Sequence, residues 1–206
     1  MEREPTPAIR RPRADSLRNR EKLLVAAAAV FRETGGEGTL EAVARRAGVG
    51  IGTLYRHFPT REALFEAVYR REIDQLAGLS LQLEGSGDPV AALRSFLHEL
   101  VGMVATKKGM IKALAIAMDG SCEIANYSHT TLLAAVERLH GPAVRTGALR
   151  ADVSGEDVAQ TVVGMCLARR DERWEAAVVR LTDVFLDGLR TGGRGEVRAD
   201  QATHPR

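Results

Sequence analysis

The stretch that decides the fold runs from Gly38 to Arg61 and reads GTLEAVARRAGVGIGTLYRHFPTR. Apolar residues recur in it at helical spacing, first as Leu40, Val43, Ala44 and Ala47 and then, after a short break, as Ile51, Leu54, Tyr55 and Phe58. Each group gives a very short helix one apolar face. Neither helix is stable alone, so each must pack on other parts of the chain. The pattern therefore predicts a helix-turn-helix.

Signals that begin and end helices flank both of these helices. Thr39 is a candidate N-cap, because its hydroxyl can accept a hydrogen bond from a backbone N–H that has no partner within the helix. Gly48 can take the left-handed conformation that ends the first helix. The second helix covers about residues 50–58, and Pro59 and Thr60 end it and begin a third. These signals place a tight turn between the two helices.

The same residues resemble the DNA-binding domain of TetR-type transcriptional regulators. The similarity is carried by the runs TLEAVA at 39–44, AGV at 47–49 and GTLYRHFPTREAL at 52–64, and it extends back through a helix that ends in FRETG at 31–35. It covers roughly residues 17–72. The resemblance implies an all-α protein of about nine helices. An N-terminal helix-turn-helix domain would bind DNA, and a C-terminal helical domain would bind a ligand and dimerise.

The resemblance also implies which residues contact DNA. It assigns hydroxyl, imidazole and guanidinium donors, which suit phosphate oxygens, mainly to the DNA backbone: Thr39, Tyr55, His57 and Arg61. It places Arg56 and residues 50–53 nearest the bases. For Tyr55 a core position is the alternative, because its i+4 spacing from Ile51 turns the ring inward. With the basic pair of the preceding helix, the predicted DNA-binding set is Thr39, Arg45, Arg46, Gly50, Ile51, Gly52, Thr53, Tyr55, Arg56, His57 and Arg61.

The second short helix is the candidate recognition helix, whose first residues enter the major groove in helix-turn-helix proteins. Two of those first residues, Gly50 and Gly52, have no side chain. The absence of side chains at these two positions implies close approach of the helix to the base edges. It also shifts sequence reading to Thr53, to Arg45 or Arg46, and to DNA shape. The operator sequence therefore does not follow from these residues.

Charge is distributed unevenly along the 206 residues, although the net charge is only +2. Residues 1–71 hold 14 Lys/Arg against 9 Asp/Glu, a net of +5, whereas residues 72–206 hold 15 against 18, a net of −3. The basic part contains the helix-turn-helix, and neutralisation of phosphates supplies most of the non-specific affinity for DNA. An ordinary solvated surface is the alternative explanation of this charge.

Other classes of function find little support in the sequence. Cys122 and Cys166 stand in neither a metal-ligand nor a disulfide-framework spacing, so no metal site and no cofactor is expected. No nucleophile and base stand in a catalytic arrangement, so we do not expect an enzyme. The chain shows no signal peptide and no apolar run of roughly 18 or more residues. We therefore expect a cytoplasmic protein that does not bind membranes.

The patterns divide the chain into four segments. These are a disordered basic arm (1–15), the helix-turn-helix domain with the start of a connecting helix (16–72), a helical ligand-binding and dimerisation domain (73–190), and a disordered tail (191–206). The first helix, about residues 16–34, is expected to pack its apolar face on Val43, Leu54 and Phe58. In the third segment apolar residues recur at helical spacing, and no strand-like alternation competes. One helix there is predicted to stop at Gly141-Pro142.

The last two helices, about residues 155–168 and 171–190, carry an apolar stripe too wide for one neighbouring helix. In the TetR family this final pair forms a four-helix dimer interface. A two-fold dimer also reads two half-sites, whereas a single two-helix reader gives modest affinity. A homodimer is therefore predicted, with an interface made by Val158, Val162, Met165, Trp174, Val178, Leu181 and Phe185.

Methionine and aromatic residues on the middle helices are candidates for a ligand site. Flexible, Met-lined cavities suit small apolar or aromatic molecules. The candidates are Phe96, Met103, Met110, Met118 and Tyr127. Ordinary core packing is the alternative for each of them, and nothing in the sequence identifies the effector.

The sequence thus predicts a DNA-binding transcriptional regulator, which we expect to be a repressor that a small-molecule effector releases from its operator. Such release requires that the effector bind two conformations with different affinities. The alternative is a helical small-molecule-binding or scaffold protein whose helix-turn-helix does not read DNA, and the bare Gly50 and Gly52 favour it. Repression and activation are not distinguished, because the sign depends on operator position.

Overall fold

The computed structural model describes residues 12–34, 37–114, 122–168 and 173–193. Those residues form eight α-helices and one 3₁₀ turn, without any strand among them. The helices are α1 (Pro12–Thr34), α2 (Leu40–Ala47), α3 (Ile51–His57), α4 (Arg61–Leu83), α5 (Pro89–Leu114), α6 (Cys122–Arg145), α7 (Gly155–Ala168) and α8 (Trp174–Gly188). The all-α class predicted from the sequence is confirmed, with eight helices where about nine were expected.

The chain divides into two compact units. Among the described residues, the first holds those up to Glu72 and those from Thr106 to Ile124, and the second holds those from Ile73 to Ala105 and from Ala125 onward. No helix in the described ranges is both long enough and apolar enough to span a bilayer. Within the same ranges no three His, Cys, Asp or Glu side chains are grouped as metal ligands would be.

One hydrophobic core joins the first four helices. The rings of Phe31 and Phe65 lie 4.3 Å apart, centroid to centroid, where α1 meets α4. Fully buried side chains of this kind each stabilise the fold by about 1.5–3 kcal/mol. The cluster includes Leu23, Leu24, Ala27, Val30, Phe31, Val43, Ala44, Leu54, Phe58, Leu64, Phe65 and Val68. The predicted packing of the first helix on both short helices is therefore confirmed.

The first helix begins earlier than the sequence predicted. α1 starts at Pro12, so residues 12–15, which were assigned to the disordered arm, are helical. Proline suits the first turn of a helix, because it has no N–H to leave unpaired and its φ angle is already helical. Asp15 adds a carboxylate near the positive end of the helix dipole and accepts a hydrogen bond from Arg18 at 2.8 Å. Residues 1–11 lie outside the described ranges.

The predicted helix stop at Gly141-Pro142 was wrong. α6 contains both residues and continues to Arg145. The chain turns away just after the helix, at Gly147, which has a φ of 71°. Beyond the end, the backbone N–H of Ala148 donates to the carbonyl of Ala143 at 2.9 Å. A proline removes one helical hydrogen bond, but a left-handed glycine redirects the chain, and here the glycine sets the end.

The end of α8 is held by the loop that follows α6. The backbone N–H of Arg150 donates to the carbonyl of Leu189 at 3.0 Å, and that of Thr191 donates to Ala148 at 3.3 Å. Residues 191–193 form a 3₁₀ turn, so the predicted disordered tail is ordered over its first three residues. Residues 194–206 lie outside the described ranges.

Polar contacts also tie α8 to α5 in the second unit. The guanidinium of Arg94 donates to Asp183 at 2.6 Å and also pairs with Asp187. Nε2 of His98 lies 2.8 Å from the same Asp183 carboxylate. These contacts fix which side of α8 faces the core and therefore which side faces outward.

Candidate nucleic-acid interface

The turn between α2 and α3 has the geometry that the sequence predicted. Thr39 Oγ1 accepts a hydrogen bond from the backbone N–H of Ala42 at 3.1 Å, and so caps α2. Gly48 is left-handed, with φ 67° and ψ 33°. The backbone N–H of Val49 then donates to the carbonyl of Ala44 at 3.0 Å. Because a residue with a Cβ is strained at this φ, the turn depends on Gly48.

The start of α3 has no side-chain cap. Gly50 is the N-cap residue, and its carbonyl accepts hydrogen bonds from Thr53 at 2.9 Å and Leu54 at 3.3 Å. The predicted start of the next helix is confirmed, since Thr60 Oγ1 accepts a hydrogen bond from the N–H of Ala63 at 3.1 Å. A seven-residue helix without a cap relies on its packing, which Leu54 supplies from within α3.

The outer side of α3 is more apolar than the sequence predicted. Leu54 and Phe58 are buried in the core, but Ile51 is 39% exposed and Tyr55 46% exposed. The core alternative for Tyr55 is therefore wrong, and Ile51, which the resemblance placed near the bases, is not a core residue either. α3 packs on α1 and α2 along one side only, and the stripe buried there is too narrow to include this i+4 pair. Thr53 is half-buried beside them.

No described residue requires glycine at the start of α3. A Cβ built on Gly50 or Gly52 meets no atom within 4 Å, and neither residue has a positive φ. Glycine within a helix costs about 0.5–1 kcal/mol relative to alanine. The helix therefore carries an energetic cost at Gly52 that no internal contact explains. Close approach to an external surface remains a prediction that would explain it.

The two arginines at the end of α2 differ in their surroundings. Arg46 Nη1 lies 2.6 Å from the Glu33 carboxylate of α1. This hydrogen bond holds the pKa of the Glu33 carboxyl below its usual range and raises the pKa of Arg46, so both are charged at neutral pH. Arg45 is exposed and has no side-chain partner in the described part of the chain. Of the predicted pair, Arg45 is the residue that can reach DNA without breaking an ion pair.

The remaining predicted contacts lie along the end of α3 and the start of α4. Arg56 is exposed, and no described residue pairs with it. His57 is half-buried, with its ring centroid 6.3 Å from that of Phe58. Arg61 is half-buried, and its guanidinium carbon lies 4.9 Å from the centroid of the Phe65 ring. Arg61 thus has a packing role that the sequence did not predict.

The structure also shows residues that sequence reasoning missed. Glu33 pairs with an arginine 13 positions away, and no local spacing indicates such a pair. Arg20 places its guanidinium carbon 5.3 Å from the centroid of the Phe58 ring. In the second unit, His140 Nε2 and Thr182 Oγ1 are buried without a hydrogen-bond partner among the described residues. Buried polar atoms are nearly always paired, so these two atoms are candidates for contact with a bound molecule.

Of the five candidate ligand residues, the structure describes the side chains of three. Phe96 and Met103 are buried, which fits the core alternative. Tyr127 is half-buried, and its hydroxyl donates a hydrogen bond to Asp74. The side chain of Met110, and Met118 as a whole, lie outside the described part of the chain.

The stripe on the last two helices has an inner and an outer side. Val158, Val162 and Val178 are fully buried within the protomer, so these three predicted interface residues are corrected to core residues. Met165, Trp174 and Phe185 are half-buried. The large exposed apolar residues of these helices are Leu167, Leu181 and Val184. Sequence periodicity predicted a wide apolar stripe. It did not predict which half of that stripe is buried in the core of the same chain.

Comparison with known proteins covers most of the chain. Residues 23–68 match the family model described as bacterial regulatory proteins, tetR family, and residues 88–191 match the one described as transcriptional regulator SbtR-like, C-terminal domain. A TetR transcriptional regulator from Streptomyces coelicolor is 37% identical with a TM-score of 0.74, and the match covers 83% of this chain and 98% of that one. A TetR transcription regulatory protein from Mycobacterium vanbaalenii is 34% identical with a TM-score of 0.67, over 86% and 98%.

A curated relative matches over a shorter range. An HTH-type transcriptional regulator from Staphylococcus aureus is 36% identical over 63 residues, which are 30% of this chain and 34% of the relative. The chain thus spans about a third of the length of the curated relatives it matches.

Proposed function

This chain belongs to the TetR family of DNA-binding transcriptional regulators, and on that premise we propose that it is a homodimeric repressor. It binds a two-fold symmetric operator and leaves it when a small apolar or aromatic molecule binds the C-terminal helical domain. The observation that carries the proposal is the exposed surface of α2 and α3. There Arg45 and Arg56 have no partner among the described residues, and Gly50 and Gly52 leave the helix backbone uncovered.

The DNA contacts divide into two kinds. The sequence placed Arg56 nearest the bases and gave Arg45 a part in sequence reading, but both are exposed arginines, and we assign them to phosphates that fix the position of the protein. Ile51 and Thr53 at the start of α3 face the bases. The net charge of +5 on residues 1–71 supplies the non-specific attraction. Arg46 contributes less than Arg45, because its guanidinium already pairs with Glu33.

Arg45→Ala is expected to weaken binding to every DNA sequence by a similar factor. It should also reduce the slope of log affinity against log salt concentration by about one unit per half-site, because one phosphate contact is lost. Arg46→Ala is the matched control, since it removes the same group from the neighbouring position and should change the slope much less. Fluorescence anisotropy of a labelled duplex over a salt series measures both. Equal changes in the two variants would show that Arg46 leaves Glu33 for DNA.

Arg61→Ala is expected to have two effects. Arg61 packs on aromatic rings, and it is also one of the residues predicted to contact DNA. Loss of the contact with the Phe65 ring lowers the free energy of unfolding by about 0.5–1 kcal/mol. Loss of a phosphate contact flattens the salt slope by about one unit per half-site. Arg61→Lys keeps the charge and should restore the slope. Urea unfolding and anisotropy separate the two effects, and an unchanged slope in Arg61→Ala would limit Arg61 to a packing role.

The dimer interface is proposed to lie on the outer side of α7 and α8. Leu167, Leu181 and Val184 are exposed apolar residues there, and Gly164 on α7 leaves room for close approach. A dimer removes these side chains from water. It also presents two α3 helices to half-sites roughly 34–36 Å apart. Met165, Trp174 and Phe185, which are half-buried, stay in the proposed interface at its edge.

The effector site is proposed to lie in the C-terminal helical domain. His140 Nε2 and Thr182 Oγ1, which have no partner among the described residues, are polar groups that a bound molecule can satisfy. Phe96 and Met103 are buried apolar residues of α5 and stay candidates for its apolar contacts. A compound library screened for release of a labelled operator tests this part. A true effector must bind free protein more tightly than operator-bound protein by the same factor by which it weakens DNA binding. Transcription in vitro from a promoter that carries the operator then gives the sign of regulation.

A further inference from the structure

Ile51 is an exposed aliphatic side chain in an unusual setting. It is the first residue of α3 and lies between two glycines, around which the protein leaves open space. It belongs neither to the core of the first unit nor to the partly buried residues packed on that core. Single exposed apolar residues are common on protein surfaces and need no explanation. Here, however, the N-cap residue and the second residue of α3 are both glycines, so Ile51 carries the only side chain among these three positions.

Isoleucine can read only one feature of the major groove. It offers no hydrogen-bond donor or acceptor, so it cannot pair with the N7, O6, N6 or N4 groups of guanine, adenine and cytosine. Covering any of those groups with an aliphatic side chain removes their water without replacing the hydrogen bonds. The C5-methyl group of thymine is the one apolar group on the base edges. Burial of that methyl against Ile51 is favourable for both partners.

We propose that Ile51 selects a thymine in each operator half-site by packing on its C5-methyl group, an inference that rests on the proposed function. The bare Gly50 and Gly52 allow the helix to approach closely enough for this short side chain to reach the base edge. A β-branched side chain has few rotamers to lose, so ordering it in the groove costs little entropy. Specificity at this position therefore comes from an apolar contact, whereas Thr53 supplies the neighbouring hydroxyl.

The test replaces single thymines by deoxyuridine in the preferred duplex obtained by selection from random DNA. Deoxyuridine lacks only the C5-methyl group and keeps every hydrogen-bonding group. The inference predicts one thymine per half-site whose replacement lowers affinity about fourfold, and about fifteenfold when both half-sites are changed. All other thymines should tolerate the replacement within about twofold.

Variants of Ile51 assign the effect to this side chain. Ile51→Ala should bind the thymine and uracil duplexes within about twofold of each other, and Ile51→Val should keep most of the difference. Alanine is a good helix former, so the variant is expected to keep its thermal midpoint. Leu81→Ala removes another exposed apolar side chain, from α4, and should keep the full wild-type difference.

Two results would overturn the inference and leave the regulator intact. One is a selected operator in which no thymine is sensitive to loss of its methyl group. The other is a sensitive thymine that stays equally sensitive in Ile51→Ala, which would assign the contact to another residue such as Tyr55. Failure of the selection to enrich any sequence would contradict the proposed function itself, and the inference would fall with it.

Discussion

Val184→Asp is expected to convert the proposed homodimer to a monomer and to weaken operator binding by at least about a hundredfold. Val184 is 69% exposed in the protomer, so a carboxylate at this position costs the folded monomer little. In the proposed dimer the same carboxylate would be buried against a second copy without a partner. Such unpaired buried charges cost about 3–5 kcal/mol. A monomer also holds one half-site in place of two, which accounts for the loss of DNA affinity.

Sedimentation equilibrium measures the dimerisation, and anisotropy measures the binding of operator. Leu181→Asp on the same side of α8 should behave alike, because Leu181 is exposed one helical turn away. Leu81→Asp is the matched control, since it places a carboxylate on an exposed apolar position of α4 and should remain dimeric. A dimeric Val184→Asp variant with normal unfolding would place the interface elsewhere on the protein.

Gly52→Leu is expected to lower affinity for every operator by at least about a hundredfold while the free energy of unfolding stays the same or rises. Gly52 is exposed, and a Cβ built there meets no atom within 4 Å, so the described structure shows no clash at the base of a new side chain. Leucine is also a better helix former than glycine by up to about 1 kcal/mol. The loss therefore arises only where the side chain meets DNA, and a shift of about 1 Å in the helix costs several hydrogen bonds and phosphate contacts at once.

Gly52→Ala gives the intermediate case, with a smaller loss of affinity and a gain of about 0.5–1 kcal/mol in unfolding free energy. Gly78→Ala is the control for the gain in stability. Gly78 lies within α4, where an added Cβ also meets no atom within 4 Å. Gly78→Ala should stabilise the protein to a similar extent as Gly52→Ala, without any change in DNA affinity. Wild-type affinity in both Gly52 variants would show that the start of α3 does not enter the major groove.

Local signals in the sequence predicted the elements whose cause is local. The cap at Thr39, the left-handed Gly48 and the cap at Thr60 each depend on a residue and on backbone groups three or four positions away. Such interactions form within one turn, so spacing alone reveals them. Two local predictions failed. α1 begins at Pro12 and not near residue 16, and Gly141-Pro142 does not stop α6, because a left-handed glycine further along provides the better end.

Features that depend on distant parts of the chain could not be read from spacing. Ile51 and Tyr55 belong to an apolar repeat, but the other helices cover only the adjacent side of α3. Val158 and Val178 are core residues for the same reason, since periodicity does not say which half of a wide stripe meets the protomer's own core. The pair of Arg46 with Glu33 joins two helices and has no signature in sequence.

Selection of bound duplexes from random DNA, repeated at several salt concentrations with the full-length protein, tests the central claim that α2 and α3 read an operator. We expect a two-fold symmetric sequence with half-site centres roughly 34–36 Å apart. We also expect log affinity to fall linearly with log salt concentration, by about 0.9 for each phosphate contacted. Enrichment of no sequence by the folded, dimeric protein would contradict the account and favour a helical scaffold whose helix-turn-helix does not read DNA.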